Sequence, residues 1–202
     1  MMNYTNIEFT DLTWNPIVGC QIGCSYCWAE RFNRWHRFIP DFKRPTFYEN
    51  RLQDPYTNTK KGQFVFVVDM GDIFSPGVED KWINRILNVC FDNPKYTYQF
   101  LTKNPKRFQD FKFPCGSWLG VSVTRKEDAW RLSYLPSLPC KYTTFVLVEP
   151  LLGSMDGVDF SKSDLLFVGA QTGPGSVAPK KEWIDSIQHH AITNKENIKR
   201  FL

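Results

Sequence analysis

Hydrophobic positions along this chain alternate between short continuous runs and longer stretches with helical spacing. Phe64-Val65-Phe66-Val67-Val68 is apolar and rich in β-branched residues, the pattern of a strand covered on both faces. Trp82, Ile83, Ile86, Leu87 and Cys90 then share one helical stripe, which ends before Asn93-Pro94. Tyr96 to Leu101 reads as the next strand. Asn104-Pro105 follows, a cap residue with proline in the first helical position, and Phe108 and Phe111 form a short apolar face. Trp118 to Val123 is a further strand. Thr124-Arg125-Lys126-Glu127 has capping-box spacing and predicts a helix carrying Ala129, Leu132 and Leu135. Thr144 to Val148 and Leu165 to Val168 are two more buried strands, the second leading through Gly169 to Gly175 into a helix with Trp183, Ile184 and Ile187. Upstream, Trp28, Phe32 and Trp35 share a helical face, and a first strand is expected between Ile7 and Trp14. The tail after this reads as polar and helix-like.

The count is about six βα units of roughly 33 residues each, as right-handed parallel crossovers require. A complete eight-unit barrel needs about 250 residues. The expectation is therefore an α/β fold in one domain, residues 1–202, built as an open partial (βα)6 barrel of parallel strands. A doubly wound sheet is the competing arrangement. Both set functional groups at the carboxyl ends of the strands.

Composition narrows the class. Of 202 residues, 42% are hydrophobic, and 17 Phe, 8 Tyr and 7 Trp carry too much apolar surface for a disordered chain. The 12 Gly and 13 Pro show no period, which excludes collagen-like and low-complexity readings. No apolar run reaches the roughly 18 residues that cross a bilayer. The amino terminus shows no secretion signal, so a cytoplasmic protein without membrane attachment is expected. The net charge of +4 permits an anionic substrate without demanding one.

Cysteine placement says more. Cys90, Cys115 and Cys140 are scattered, Cys90 on an apolar helical stripe and the other two in turn-like contexts. Cys20, Cys24 and Cys27 lie within eight residues, spaced C-x3-C-x2-C. In a reducing compartment such a cluster reads as a metal or redox site before a disulfide frame. Three thiolates on so short a loop suit three corners of a cubane iron–sulfur cluster. Gly19 and Gly23 let the backbone approach it closely, and no fourth cysteine is near, which leaves one iron open. Zinc is the alternative, with Cys20, Cys24 and Cys27 completed by His36.

These residues also resemble a known family. C-x3-C-x2-C with an aromatic residue before the last cysteine is similar to the signature of the radical S-adenosyl-L-methionine (SAM) superfamily. The wider phrase, Thr13-Trp14-Asn15-Pro16 through Cys27-Trp28-Ala29-Glu30, resembles a phage-associated branch of it. So do Val68-Asp69-Met70-Gly71-Asp72-Ile73-Phe74, Leu101-Thr102-Lys103-Asn104-Pro105, Val148-Glu149-Pro150-Leu151-Leu152-Gly153 and the Gly169 to Gly175 stretch. The similarity runs to about residue 185.

The resemblance implies a TIM-like partial barrel holding a [4Fe-4S] cluster on Cys20, Cys24 and Cys27. Its open iron would chelate SAM, and an electron from a flavodoxin or ferredoxin would cleave SAM to methionine and a 5′-deoxyadenosyl radical. That radical would abstract hydrogen from the substrate. By position, Tyr26 would lie beside the adenine, and Gly71 and Asp72 would meet the methionyl ammonium. There the chain has Met70-Gly71-Asp72 where the superfamily commonly has Gly-Gly-Glu. Ser122 falls where ribose or carboxylate contacts are usual, Glu149 and Gln171 would face SAM or substrate, and Lys103 would bind a carboxylate or phosphate. Nucleic acid or a nucleotide is one substrate class among several left open, and the open side of the barrel would admit a bulky substrate or take a protein partner as cover.

Other readings stand beside these. Trp14, Trp28 and Trp35 serve equally as a shield for the cluster or as core. Arg31, Arg34 and Arg37 read as the solvated face of a helix or as a basic strip for phosphate. The aromatic content of 16% and the basic surplus also allow a non-catalytic, metal-containing nucleic-acid-binding module. His36, His189 and His190 read as ordinary surface or helix residues, and Gly169 to Gly175 as a tight strand-to-helix connection.

Overall fold

In the computed structural model, which describes residues 2–136 and 141–202, every apolar run read as a strand pairs as one. The chain runs through β1 (Asn3–Tyr4), β2 (Leu12–Trp14), β3 (Ile17–Val18), α1 (Trp28–His36), β4 (Thr46–Phe47) and α2 (Asp54–Thr57). It continues with β5 (Phe64–Val67), α3 (Asp80–Asp92), β6 (Thr97–Thr102), β7 (Trp118–Ser122) and β8 (Thr143–Val148). Then come β9 (Leu165–Val168), α4 (Lys181–Asp185), β10 (Ile192–Asn194) and α5 (Glu196–Lys199). Cys140 lies outside the described residues.

Eight strands form one sheet in the order β1-β2-β5-β6-β7-β8-β9-β10, and β3 pairs with β4 in a separate hairpin. From β2 to β10 every pairing is parallel, and β1 is antiparallel to β2. The parallel strands follow chain order without the reversal of a doubly wound sheet, so that alternative fails.

The sheet also curls. Laid flat, eight strands at about 4.8 Å spacing would hold the edges about 33 Å apart. Instead the Glu196 amide donates to the Glu8 carboxylate at 3.1 and 3.3 Å, joining the segment after β10 to the segment before β2. Phe9 sits inside the curl, its ring 6.0 Å from Phe66 on β5 and 4.7 Å from Phe167 on β9. Among the described residues β1 and β10 share no ladder, and no barrel closes.

Period-2 alternation sends each strand's side chains to two cores. Val65, Val67, Tyr98, Phe100, Val146, Val148, Leu166 and Val168 pack outward with Ile83, Ile86, Leu87 and Cys90 of α3. Phe145, Leu147 and Phe167 point inward with Phe9, Leu101 and Trp118. Gly120 makes room for this inner layer, since a Cβ there would lie 2.4 Å from the Phe145 ring. The inner layer stops short of the carboxyl ends of the strands, and above it lies the cavity described below.

Four expectations change. The tail is not simply helical: Ile192–Asn194 forms a seventh parallel strand on the free edge of β9, where ladder hydrogen bonds decide and no apolar run is needed. Lys126–Tyr134 is a 3-10 helix, not an α-helix, and Thr124 does not cap it. Asp128 instead turns back to accept from the Thr124 amide at 3.0 Å and hydroxyl at 2.9 Å. Pro105–Asp110 is likewise 3-10, with the Asn104 side chain donating to the Phe74 carbonyl at 2.8 Å. Among the described residues no helix is long and apolar enough to cross a membrane.

Candidate metal centre

The cysteine loop is inserted between β3 and β4, whose hairpin closes its base. Beneath it lies a thin core of Val18, Ala29, Ile39 and Phe42, against which Cys20 and Cys27 pack. The loop docks on the end of β5 by backbone contact. Gly19 (φ +104°) donates to the Met70 carbonyl at 3.0 Å, and the Cys20 amide to the Phe42 carbonyl at 2.8 Å. A Cβ on Gly71 would come within 2.5 Å of the Gly19 oxygen, and one on Gly19 within 2.8 Å of the Phe42 oxygen. Only two glycines permit that approach.

All ten residues singled out from the sequence line one cavity of about 360 Å³ at the carboxyl edge of the sheet: Cys20, Cys24, Tyr26, Cys27, Gly71, Asp72, Lys103, Ser122, Glu149 and Gln171. They come from the cysteine loop and from the ends of five different strands. The three thiols are free and partly buried. The Cys20 sulfur accepts from the Ile22 amide and the Cys27 sulfur from the Glu30 amide, both at 3.4 Å, so that Cys27 caps α1. Burial, and then the charge of Asp72, push the Cys20 thiol up to about 11, and burial raises Cys27 as well.

The side chains differ in how much they leave for a ligand. The Asp72 carboxylate is wholly buried and turned into the protein. It accepts from the Phe74 amide (2.9 Å), the Thr102 hydroxyl (2.8 and 3.0 Å) and the Lys103 amide (2.9 Å), clamping the ends of β5 and β6 together. Its burial raises its affinity for a proton, and those donors oppose the rise. Glu149 accepts from Lys195 Nζ at 2.7 Å and Asn197 Nδ2 at 2.8 Å, tying β8 to the segment after β10. Gln171 Oε1 accepts from the Val177 amide at 3.1 Å and shapes the glycine-rich loop. The Tyr26 hydroxyl meets Thr124 Oγ1 at 3.2 Å, and Lys103 Nζ stands 5.7 Å from the centre of its ring. Burial raises the Tyr26 hydroxyl, with Lys103 opposing.

Sequence reading missed Asp69 and Lys195, which line the same cavity, as does Arg31, read there as helix face or basic strip. Asp69 had a signal, since it follows a buried strand as directly as Asp72 does. Lys195 had none, because β10 was not legible. Asn15 explains the Trp14-Asn15-Pro16 phrase. Its Nδ2 donates to Asp69, its Oδ1 accepts from the Met70 amide at 2.9 Å, and its carbonyl accepts from Arg51 at 2.7 Å. Val68 turns the chain into this stretch at φ +65°, a left-handed conformation rare for a β-branched residue, held by its amide on the Trp14 carbonyl at 2.8 Å.

Two alternatives lose ground. Thiolates on a single zinc ion sit about 4 Å from one another, given Zn–S bonds of about 2.3 Å in a tetrahedron. Among the described residues no three His, Cys, Asp or Glu, the three cysteines included, are gathered as a ready-made metal site. His36 packs tilted against Phe32 and stacked on Phe38, with ring centres 4.2 and 5.6 Å away, and is not in the cavity. Trp28 and Trp35 are not core, being 47% and 85% exposed, whereas Trp14 is fully buried.

Fold and site together define an α/β protein whose curled, mostly parallel sheet carries a thiol-lined cavity at its carboxyl edge. Residues 4–200 match a family described as "Protein of unknown function (DUF5131)", and the chain belongs to that family. Comparison with curated proteins and with solved structures gave no significant match.

Proposed function

We propose that this chain is a radical SAM enzyme, its curled sheet the partial barrel of that superfamily and Cys20, Cys24 and Cys27 the ligands of a [4Fe-4S] cluster. One observation carries the reading. The ten residues chosen for that chemistry, scattered over about 150 positions (from Cys20 to Gln171), converge on a single cavity. Its volume lies within the range of cofactor pockets, about 300–1,000 Å³.

The residues suit the group. The donor set is all sulfur, amides at Ile22 and Glu30 already point at two of the sulfurs, and paired glycines bring the backbone close. When bound, the cluster would supply an electron and an open iron for SAM, and with them the cleavage to methionine and a 5′-deoxyadenosyl radical.

The protein's own part is to hold and shield. Asp72 keeps the ends of β5 and β6 in register, which fixes the Met70-Gly71 backbone against the loop. Asp69, anchored by Asn15, is the carboxylate we assign to the SAM ammonium in place of Asp72. We assign Lys103 to the methionyl carboxylate, Tyr26 to the adenine and Ser122 to the ribose. Glu149 and Gln171 order the rim through Lys195, Asn197 and Val177. The inner layer of Phe66, Leu101 and Leu147 forms the floor and excludes water beneath the reacting atoms. The unpaired sheet edges leave a side open to a bulky substrate, to a protein partner, or to a flavodoxin- or ferredoxin-type donor.

Anaerobic reconstitution tests this. Wild type should bind iron near four atoms per chain and form 5′-deoxyadenosine with dithionite and SAM. Cys20→Ala should lose both. A fully loaded cluster that yields no 5′-deoxyadenosine would overturn the reading. The second reading, a nucleic-acid-binding module without chemistry, draws support from the exposed aromatic face of α1.

A further inference from the structure

α1 presents its aromatic side to water and buries its small polar side. At 100° per residue, Arg31, Trp35, Trp28, Phe32 and His36 occupy one continuous arc, while Ala29 and Asn33 face inward. Trp28 is 47% exposed, Phe32 41% and Trp35 85%, and Phe38 joins the patch from the loop beyond. Neighbouring rings are tilted instead of stacked, Trp28 and Phe32 by 48° and Phe32 and Phe38 by 42°. An exposed patch of this kind marks a contact surface.

Charge names the partner. Between residues 30 and 44 there are five basic residues, Arg31, Arg34, Arg37, Lys43 and Arg44, against two acids, Glu30 and Asp41, which pair with Arg34 at 3.1 Å and Arg44 at 3.5 Å and leave a surplus of three. The strip also leads into the candidate active site. Trp28 and Arg31 line the cavity, and Trp35 lies about 10 Å farther along the helix. Arg31 is fixed at the mouth by Nη2 donating to the Thr172 carbonyl at 3.0 Å, beside Gly173, whose bare Cα leaves it room.

We propose that this strip docks a single-stranded nucleic acid and feeds one of its nucleotides to the cavity. Unpaired bases stack on Trp35, Phe32 and Trp28, and phosphates pair with Arg31, Arg34 and Arg37. Feeding the cavity rests on the enzyme reading above, but docking does not need the cluster.

Anisotropy of a fluorescein-labelled oligothymidylate, on wild type and on Cys24→Ala, separates the two. Both proteins should bind, more weakly as salt rises, and both should prefer the single strand to a matched duplex. Trp35→Ala, at a position outside the core, should weaken binding roughly ten-fold, the loss of one stacked base. Phe32→Ala should act in the same direction. Arg34→Gln should flatten the logarithmic salt dependence by about one. Absence of binding, equal binding by Trp35→Ala, or preference for phosphatidylserine vesicles overturns the docking proposal. Binding by wild type that takes up no iron on anaerobic reconstitution overturns the enzyme reading alone.

Discussion

α1 and α3 carry similar apolar periodicity and do opposite things with it. α3 turns Ile83, Ile86, Leu87 and Cys90 into the main core, all of them within 2% of full burial. α1 turns Trp28, Phe32 and Trp35 outward and buries Ala29 and Asn33. The difference lies in what holds each helix. α3 rests on aliphatic contacts across a whole sheet face. α1 is held at its ends: Cys27 caps its start, and Asn33 clasps Ile39 with two hydrogen bonds of 3.0 Å at its finish. A helix pinned by polar anchors need not bury its stripe, and that frees the aromatic side for a ligand.

The comparison can be broken most forcefully at α3. Ile86→Ala should cost about 2–5 kcal/mol of unfolding free energy in urea denaturation, the usual penalty for a core cavity. Trp35→Ala removes a larger side chain and should change stability by no more than about 0.5 kcal/mol. Similar losses in the two variants would erase the distinction. Next in size, Asn33→Ala should cost about 1–3 kcal/mol, because it leaves the Ile39 amide and carbonyl unsatisfied. Proteolysis should then cut near residues 37–39 faster than within α3. Gly71→Ala should act on the other end of the cysteine loop. Its Cβ would strike the Gly19 oxygen, so iron incorporation under reconstitution should fall even where the circular dichroism spectrum is kept.

The smallest effect is a pH dependence at Asp69. Burial raises its carboxyl above the ordinary value of 3.8. A raised acid contributes stability below the unfolded value and loses it as pH rises through the folded value. Asp69→Asn keeps an acceptor for Asn15 and removes the charge. In the cluster-free protein it should therefore raise the melting temperature slightly near neutral pH and leave it unchanged at pH well below 3.8. A fall at neutral pH would show that the charge stabilises the fold.

Legibility followed the same division. Buried strands such as Phe64–Val67 and Thr143–Val148 announce themselves, because a segment covered on both faces must be apolar throughout. β10 was silent, because an edge strand needs only backbone partners. Each cavity residue found in advance either belonged to the cysteine loop or stood at or just beyond the carboxyl end of a legible strand. Lys195 escaped because its strand did. Asp72 was found, but its hydrogen bonds to Thr102 and Lys103 join residues 30 and 31 positions apart and left no local mark.

Sequence alone determined the parallel α/β plan, the thiol spacing and the strand ends where chemistry gathers, since these follow from local periodicity and side-chain type. Tertiary structure decided that the sheet curls without closing and that Asp72 gives its carboxylate to Phe74, Thr102 and Lys103, with Asp69 lining the same cavity. It also decided that the aromatic stripe of α1 meets water. A side chain's environment depends on what the rest of the chain brings beside it, and periodicity marks a stripe without saying which side of it is dry.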